Sequence, residues 1–145
     1  MTHASAPLGK LLARSEEVRR AQDLHLIAWN QGDVDTYLSL TSDEAMGFGA
    51  SGDLASHAGR QAQLRNLYAA GYRPDFTYRN RTVHLHGEAA FTTAYLLGSL
   101  ITPSGRKLSG TFRYTEVRVW EDRTWKLIQY HLSPFRVLKS EAHST

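Results

Sequence analysis

The sequence predicts an α+β domain in which three helices pack on one face of an antiparallel sheet. Three observations lead there. Apolar residues recur at helical spacing in three stretches before Pro74. Ala89 to Thr102 carries no charged residue, as befits a central strand covered on both sides. Two aromatic-rich segments, Thr111–Trp120 and Trp125–Ser133, flank the short polar turn Glu121–Thr124, which makes them a hairpin.

Residues 1–14 read as a loose N-terminal arm with helical potential at Leu8–Leu12. Ser15 is a good N-cap, and Glu16 and Glu17 suit the positive end of a helix dipole. Val18, Ala21, His25, Ala28 and Trp29 then share a helix face, widened by Leu24 and Ile27, until Asn30, Gln31 and Gly32 stop the helix. Asp33 caps a short second helix with Val34, Tyr37 and Leu38 on one side. Thr41 to Gly52 is punctuated by Gly47, Gly49 and Gly52 and reads as a loop with at most a short strand. Ser56 caps a third helix, with Leu64, Leu67 and Tyr68 on one face and Gly71 at its end.

Strands fill the rest. Phe76–His86 alternates and breaks at Gly87; Pro103, Ser104 and Gly105 form a turn before the final hairpin. In that hairpin Phe112, Tyr114, Glu116, Arg118 and Trp120 line one face, and Thr111, Arg113, Thr115, Val117 and Val119 the other. Neither face is cleanly polar, so both need cover. The helices supply one cover, and a second subunit is the economical source of the other: a homodimer through the sheet face is expected. Residues 15–136 form one domain, and 137–145 a C-terminal tail.

Composition narrows the function. The 145 residues, 41% hydrophobic and 21% charged, suit a soluble globular protein. There is no cysteine, which excludes disulfides, thiolate metal sites and a cysteine nucleophile. No N-terminal apolar run suggests a signal peptide, and none approaches the roughly 20 residues of a membrane span. A cytoplasmic location with no membrane partner is expected. The net charge of +3 comes from 17 Lys and Arg scattered among 14 carboxylates. Arg79 and Arg81 beside Tyr78 are the nearest thing to a basic stripe and read as solvated strand-edge residues, so no nucleic-acid partner is expected. Nucleotide-binding glycine loops and a nucleophile elbow are absent, so no cofactor is implied.

Ala28–Asp33 leading into a short helix, Gly87–Ala90 opening a long strand, and Tyr114–Val117 running through a hairpin to Trp125–Ser133 together resemble the nuclear transport factor 2-like superfamily. The similarity runs from about Ser15 to Phe135. Its nearest branches are the SnoaL-like domains and the association (hub) domain of calmodulin-dependent protein kinase II. The resemblance implies a cone-shaped, cystatin-like α+β fold: a strongly curved sheet around three helices, with a pocket between its concave face and the helix layer. Pocket arginines of the kinase hub align with Leu96, Glu116 and Leu132, all without the arginine. The implied pocket is therefore apolar with one acidic group. Arg123 stands where the family's turn favours glycine, and a left-handed conformation there costs about 1 kcal/mol.

With that face inward, Glu116 is the sharpest catalytic candidate. Phe112 and Tyr114 share its row, and Ile128, Tyr130 and Leu132 face it from the partner strand. A carboxylate desolvated among aromatics is suited to acid–base work near neutral pH. Tyr114 and Tyr130 are candidates to hold a substrate oxygen. The rival reading pairs Glu116 with Arg118 or Arg113 near an edge. Asp43 follows the second helix, where isomerases of the superfamily tend to carry a base, but Thr41–Glu44 also reads as a polar turn. His57 opens the third helix, either as a pocket-facing base or as a solvent-exposed residue. Tyr78, Thr92, Leu96, Leu132, Phe112 and Trp29 are the further substrate-binding candidates, Trp29 also having core spacing. His84 and His86 share a strand face that His131 could join, but no second-shell support is visible and no metal site is expected.

Two functions remain open. One is a cofactor-free acid–base enzyme of the cyclase, isomerase, dehydratase or epoxide-hydrolase type, acting on a small hydrophobic oxygenated molecule through Glu116 or Asp43. The other is a ligand-binding or oligomerisation module without turnover. A cavity plugged by Phe48, Tyr68 or Trp29 would favour the module.

Overall fold

The computed structural model describes residues 8–135, so the N-terminal residues before Leu8 and the tail lie outside the described residues. Its elements run α1 (Leu8–Gln31), α2 (Val34–Ser39), β1 (Thr41–Phe48), β2 (Leu54–Ser56), α3 (His57–Ala69), β3 (Arg73–His86), β4 (Ala89–Ile101), β5 (Lys107–Glu121) and β6 (Thr124–Pro134). The six strands form one sheet in the order β2-β1-β6-β5-β4-β3. All neighbours are antiparallel except β1 and β6, which pair in parallel. The α+β expectation holds; the sheet is mixed rather than purely antiparallel because a strand was hidden in the glycine-rich segment.

Helix α1 starts before Ser15, so residues 8–14 of the expected arm are helical and Ser15 is interior rather than a cap. Leucine, lysine, alanine and arginine are good helix formers and carry the helix past the serine. The buried face is Val18, Ala21, Gln22, His25 and Ala28. Leu24 and Ile27 point away from it, each 49% exposed, and do not widen the packed stripe. Asp33 caps α2, accepting a hydrogen bond from the Thr36 amide at 3.1 Å, and Ser56 caps α3 through the Gly59 amide at 3.2 Å. Both caps match the sequence reading.

Strand β1 escaped the sequence because its glycines read as loop punctuation. Gly47 is a strand residue opposite Tyr130. A Cβ there would lie 2.2 Å from the Tyr130 ring, so the glycine makes room for the tyrosine to lie on the strand backbone. Gly98 plays a comparable part in β4: opposite Gly110, it lets the Asp75 carbonyl of β3 approach to 2.0 Å of where a Cβ would stand.

Two bulges reset the side-chain alternation. In β3, Asn80 and Arg81 oppose a single position of β4, with Asn80 at φ 55°. The inner row therefore passes from Phe76 and Tyr78 to Arg81, Val83 and Leu85. In β6, Ile128 is the extra residue between the Val117–Gln129 and Arg118–Leu127 pairs. Trp125 and Leu127 consequently face inward, at 2% and 1% exposure, together with Tyr130. Ile128 was expected in that row and Trp125 and Leu127 on the outer face; the inserted residue reverses both. The hairpin turn has Asp122 and Arg123 at φ 54° and 64°, so Arg123 does adopt the left-handed conformation.

Strand β4 is covered on one side within the chain. Ala90, Thr92, Ala94 and Leu96 are buried, while Phe91 on the opposite face is 41% exposed. The apolar core is split in two. Val18, Ala21, Ala90 and Trp125 form one cluster, and Ala28, Val34, Tyr37 and Leu64 the other. Between them, on the intervening turns of α1, lie the buried polar residues Gln22 and His25.

Candidate functional site

The polar layer is built around Glu116. From β5 it points toward α1 and is 1% exposed. Its Oε1 accepts from the Tyr114 hydroxyl at 2.8 Å and from an Arg118 terminal nitrogen at 3.1 Å. Its Oε2 accepts from Arg118 Nε at 2.6 Å and from Gln22 Nε2 at 3.0 Å. Two donors on each oxygen fill the acceptor sites of a carboxylate. Glu116 and Arg118 are two apart on one strand and therefore share a face, so the ion pair is a direct consequence of local geometry. It is fully buried rather than near an edge, and Glu116 is not the lone acid the sequence suggested.

Arg118 extends the layer. It donates to the Trp125 carbonyl at 3.3 Å and to His25 Nδ1 at 2.8 Å. Burial opposes its charge, but Glu116 raises its pKa above the ordinary guanidinium value. Burial, and then the charges of Arg118 and Arg60, hold His25 well below its usual pKa, so the imidazole is neutral at pH 7. Because arginine only donates, Nδ1 must be the acceptor and the ring proton sits on Nε2. That nitrogen lies 3.2 Å from Thr41 Oγ1, which in turn donates to the Tyr37 carbonyl at 2.8 Å. Gln22 also donates to Thr92 Oγ1 at 2.8 Å and accepts from Arg81 at 3.4 Å. Arg81 stacks 4.6 Å from the Tyr78 ring centroid and bonds Asp23 at 2.7 Å. The β3 bulge turns it inward, so it is no solvated edge residue.

Beside this layer lies a cavity of about 180 Å³, partly open to solvent. Tyr37, Tyr78, Tyr114 and Tyr130 supply phenols to its wall, His25 and Arg60 the nitrogen groups, and Leu26, Trp29, Leu96 and Leu132 apolar surface. Phe48, 40% exposed, does not fill it. Tyr68 is engaged elsewhere, its hydroxyl bonded to the Trp29 carbonyl. Burial raises the pKa of Tyr130, and burial with the Glu116 charge raises those of Tyr78 and Tyr114. These phenols stay protonated at neutral pH.

The structure thus brings together Tyr78, Tyr114, Tyr130, Leu96, Leu132 and Trp29 in one wall. Glu116 and Thr92 sit behind it, reached through Tyr114 and Gln22. Phe112 packs on Phe76 with ring centroids 5.7 Å apart. Asp43 is displaced altogether: its side chain is 99% exposed on β1, 3.8 Å from His57. Neither Asp43, pointing outward from its strand, nor His57, at the start of α3, lines the cavity. His84 and His86 pack on Phe91, and His131 on Phe48. Among the described residues no three His, Asp or Glu gather as a metal-binding group.

Sequence reasoning missed Gln22, His25 and Arg60 as site residues. The first two were visible as polar residues on the apolar stripe of α1. Arg60 was not, since its place depends on α3 packing against α2 and β1. It donates from Nε to the Tyr37 hydroxyl at 3.2 Å and lies 5.7 Å from the Tyr130 ring centroid. Burial opposes its charge, but the nearby phenol oxygens raise its pKa, and it remains a cation. The charged group in the wall is therefore basic, where an acidic one was expected.

A helix layer on a mixed sheet is the fold of solved proteins described as nuclear transport factor 2-like. A candidate dehydratase of that family from Streptomyces avermitilis superposes with a TM-score of 0.75 at 19% identity, covering 84% of this chain and 96% of its own. A ketosteroid isomerase-like protein from Erwinia carotovora atroseptica gives 0.73 at 14% identity, with 84% and 96% covered. A candidate calcium/calmodulin-dependent protein kinase II association domain from Xanthomonas campestris gives 0.73 at 21%, with 84% and 88% covered. At these identities the likeness shows the fold alone. No curated protein matches the chain by sequence. The profile of the SnoaL-like domain matches residues 18–137, and the chain belongs to that family. Among the described residues no helix is long and apolar enough to cross a membrane.

Proposed function

We propose that this protein binds a small, largely apolar, oxygen-bearing molecule in the cavity between α1, α3 and the inner sheet face. One observation carries the reading: an apolar hollow whose polar groups are protonated phenols and a guanidinium. Such a wall offers hydrogen bonds to a ligand oxygen and apolar contact to the remainder. A panel of small hydrophobic ketones, epoxides, carboxylates and polyketide-like compounds tests it. A ligand at a hundred times its Kd stabilises the folded form by about 2.7 kcal/mol, which a thermal-shift assay reads easily. A panel that neither raises the Tm nor perturbs the Trp29 indole resonance would sink the proposal.

A catalytic reading is favoured by Tyr114. Its hydroxyl belongs to a residue of the cavity wall and donates to a buried carboxylate. A substrate proton can pass to the Tyr114 oxygen as the phenol proton moves to Glu116; its return by the same route to another carbon gives cofactor-free isomerisation, to the oxygen of a carbonyl under attack cyclisation, and to a departing hydroxyl, released as water, dehydration. The dehydratase-like and isomerase-like proteins named above share the fold in which this would occur. Hydrogen–deuterium exchange at the α-carbon of a bound ketone, lost in Tyr114→Phe, is the expected signature. Exchange that persists in the variant would leave the binding role alone. The outer sheet face, with Phe91 exposed and Val117 and Val119 half-buried, is proposed as the seat of a second copy of the chain.

A further inference from the structure

Arg60 is the charged side chain of the cavity wall, and among the described residues no carboxylate pairs with it. Its partners are neutral: the Tyr37 hydroxyl, and the Gln63 side-chain oxygen at 3.5 Å. The other nearby guanidinium, Arg118, is neutralised by Glu116. The cavity therefore carries one uncompensated positive charge. Two further groups in its wall are unsatisfied. The Tyr130 hydroxyl and the Trp29 indole nitrogen are both buried and have no hydrogen-bond partner. A buried donor without an acceptor is costly, and native proteins seldom leave one unpaired. Tyr130 is itself only 6% exposed, pressed on one side against Gly47 and on the other toward Arg60.

A cation in the wall of an apolar hollow, beside a tyrosine whose hydroxyl lacks a partner, calls for an anionic, multiply accepting oxygen group on an apolar body. Resting on the binding reading above, we propose that the ligand is a small carboxylate. Its carboxylate is held at the Arg60–Tyr130 end of the cavity, and its tail lies against Leu26, Leu96 and Leu132. A planar guanidinium matches a carboxylate in two-point geometry, which a lysine at the same place would not. A neutral ketone or alcohol would leave the charge of Arg60 uncompensated.

The test uses matched compounds of three tail sizes, each as carboxylate, primary amide and alcohol; 3-phenylpropanoate, 3-phenylpropanamide and 3-phenylpropan-1-ol form one such set. Binding to the full chain is followed by calorimetry and by the Trp29 indole resonance, assigned with Trp29→Phe. The carboxylate of at least one set is expected to bind on the order of tenfold tighter than its amide, the scale of one charge-assisted hydrogen bond. Arg60→Gln should erase that preference, and Arg60→Lys should retain part of it. Tyr130→Phe should weaken the carboxylate more than the alcohol. Should Arg60→Gln fail to fold, Arg60→Lys and Tyr130→Phe carry the comparison. Amide and alcohol binding as tightly as the carboxylate would overturn the charge assignment and leave the pocket reading intact. Silence from every compound, charged or neutral, would overturn both.

Discussion

Replacing Arg118 with Met tests whether the Glu116–Arg118 pair holds the interior together. The substitution removes the cation and two of the four donors to Glu116, along with the hydrogen bonds to His25 and the Trp125 carbonyl. Both side chains are essentially solvent-free, at 1% and 0% exposure, so water cannot replace the lost partner. Breaking a buried pair on one side costs about 3–5 kcal/mol, chiefly through the uncompensated charge left behind. At about 3 °C per kcal/mol for a chain of this size, the Tm should fall by roughly 10–15 °C. Urea denaturation of Arg118→Met, Glu116→Gln and the double variant gives the coupling. The double variant should be markedly less destabilised than the sum of the singles, because it buries no unpaired charge. A loss below about 1 kcal/mol for Arg118→Met, or strict additivity in the cycle, would refute the reasoning.

Three other outcomes follow from the same structure. His25 is held neutral in the fold, so below the ordinary histidine pKa the unfolded chain binds the proton that the folded chain refuses. Stability should therefore fall as pH drops below about 6.5, by up to about 1.4 kcal/mol per pH unit from this residue; His25→Gln should remove that part of the slope, and an unchanged slope would exclude His25 as its source. Gly47→Ala sets a methyl 2.2 Å from the Tyr130 ring and should cost about 1–3 kcal/mol while displacing the tyrosine; wild-type stability and ligand affinity in this variant would show that the close approach is dispensable. Light scattering at micromolar concentration should report a dimer that Phe91→Glu weakens, and a strictly monomeric wild type would remove the second copy from the outer face.

What the sequence showed and what it hid divide along one physical line. Caps, turns and helix stops act within a few residues, and Asp33, Ser56 and Arg123 were legible for that reason. The inward row from Phe112 to Arg118 was legible too, since strand alternation is local. The β1 strand was not. Gly47 looks like loop punctuation until Tyr130 is laid against it, and that contact joins positions far apart in the chain. Nor was the face of Trp125 and Leu127, because one inserted residue at Ile128 puts the residues before it out of phase with Tyr130 and Leu132 after it, without altering composition. Arg60 is the same problem in another form: nothing near it in sequence marks it, and only the packing of α3 against α2 and β1 brings it to the cavity.

The role of Glu116 changes once its partners are counted. A buried acid among aromatics suggests catalysis when it stands alone, but here four donors from two elements converge on it. Gln22 ties it to α1, while Tyr114 and Arg118 tie it to its own strand and, through His25 and Thr41, to the start of β1. The layer thus fixes the distance between helix and sheet at the level where the apolar core is interrupted. Burying that pair instead of filling the gap with leucine gives up stability that an apolar replacement could recover. What it supplies is a rigid back wall that holds Tyr114 in one orientation at the cavity, with its proton committed inward and its remaining lone pair free to accept. Glu116 therefore acts on a ligand through Tyr114 rather than by touching it. Substitutions at Glu116 should alter affinity and stability together, whereas Arg60→Lys should alter affinity with little loss of fold.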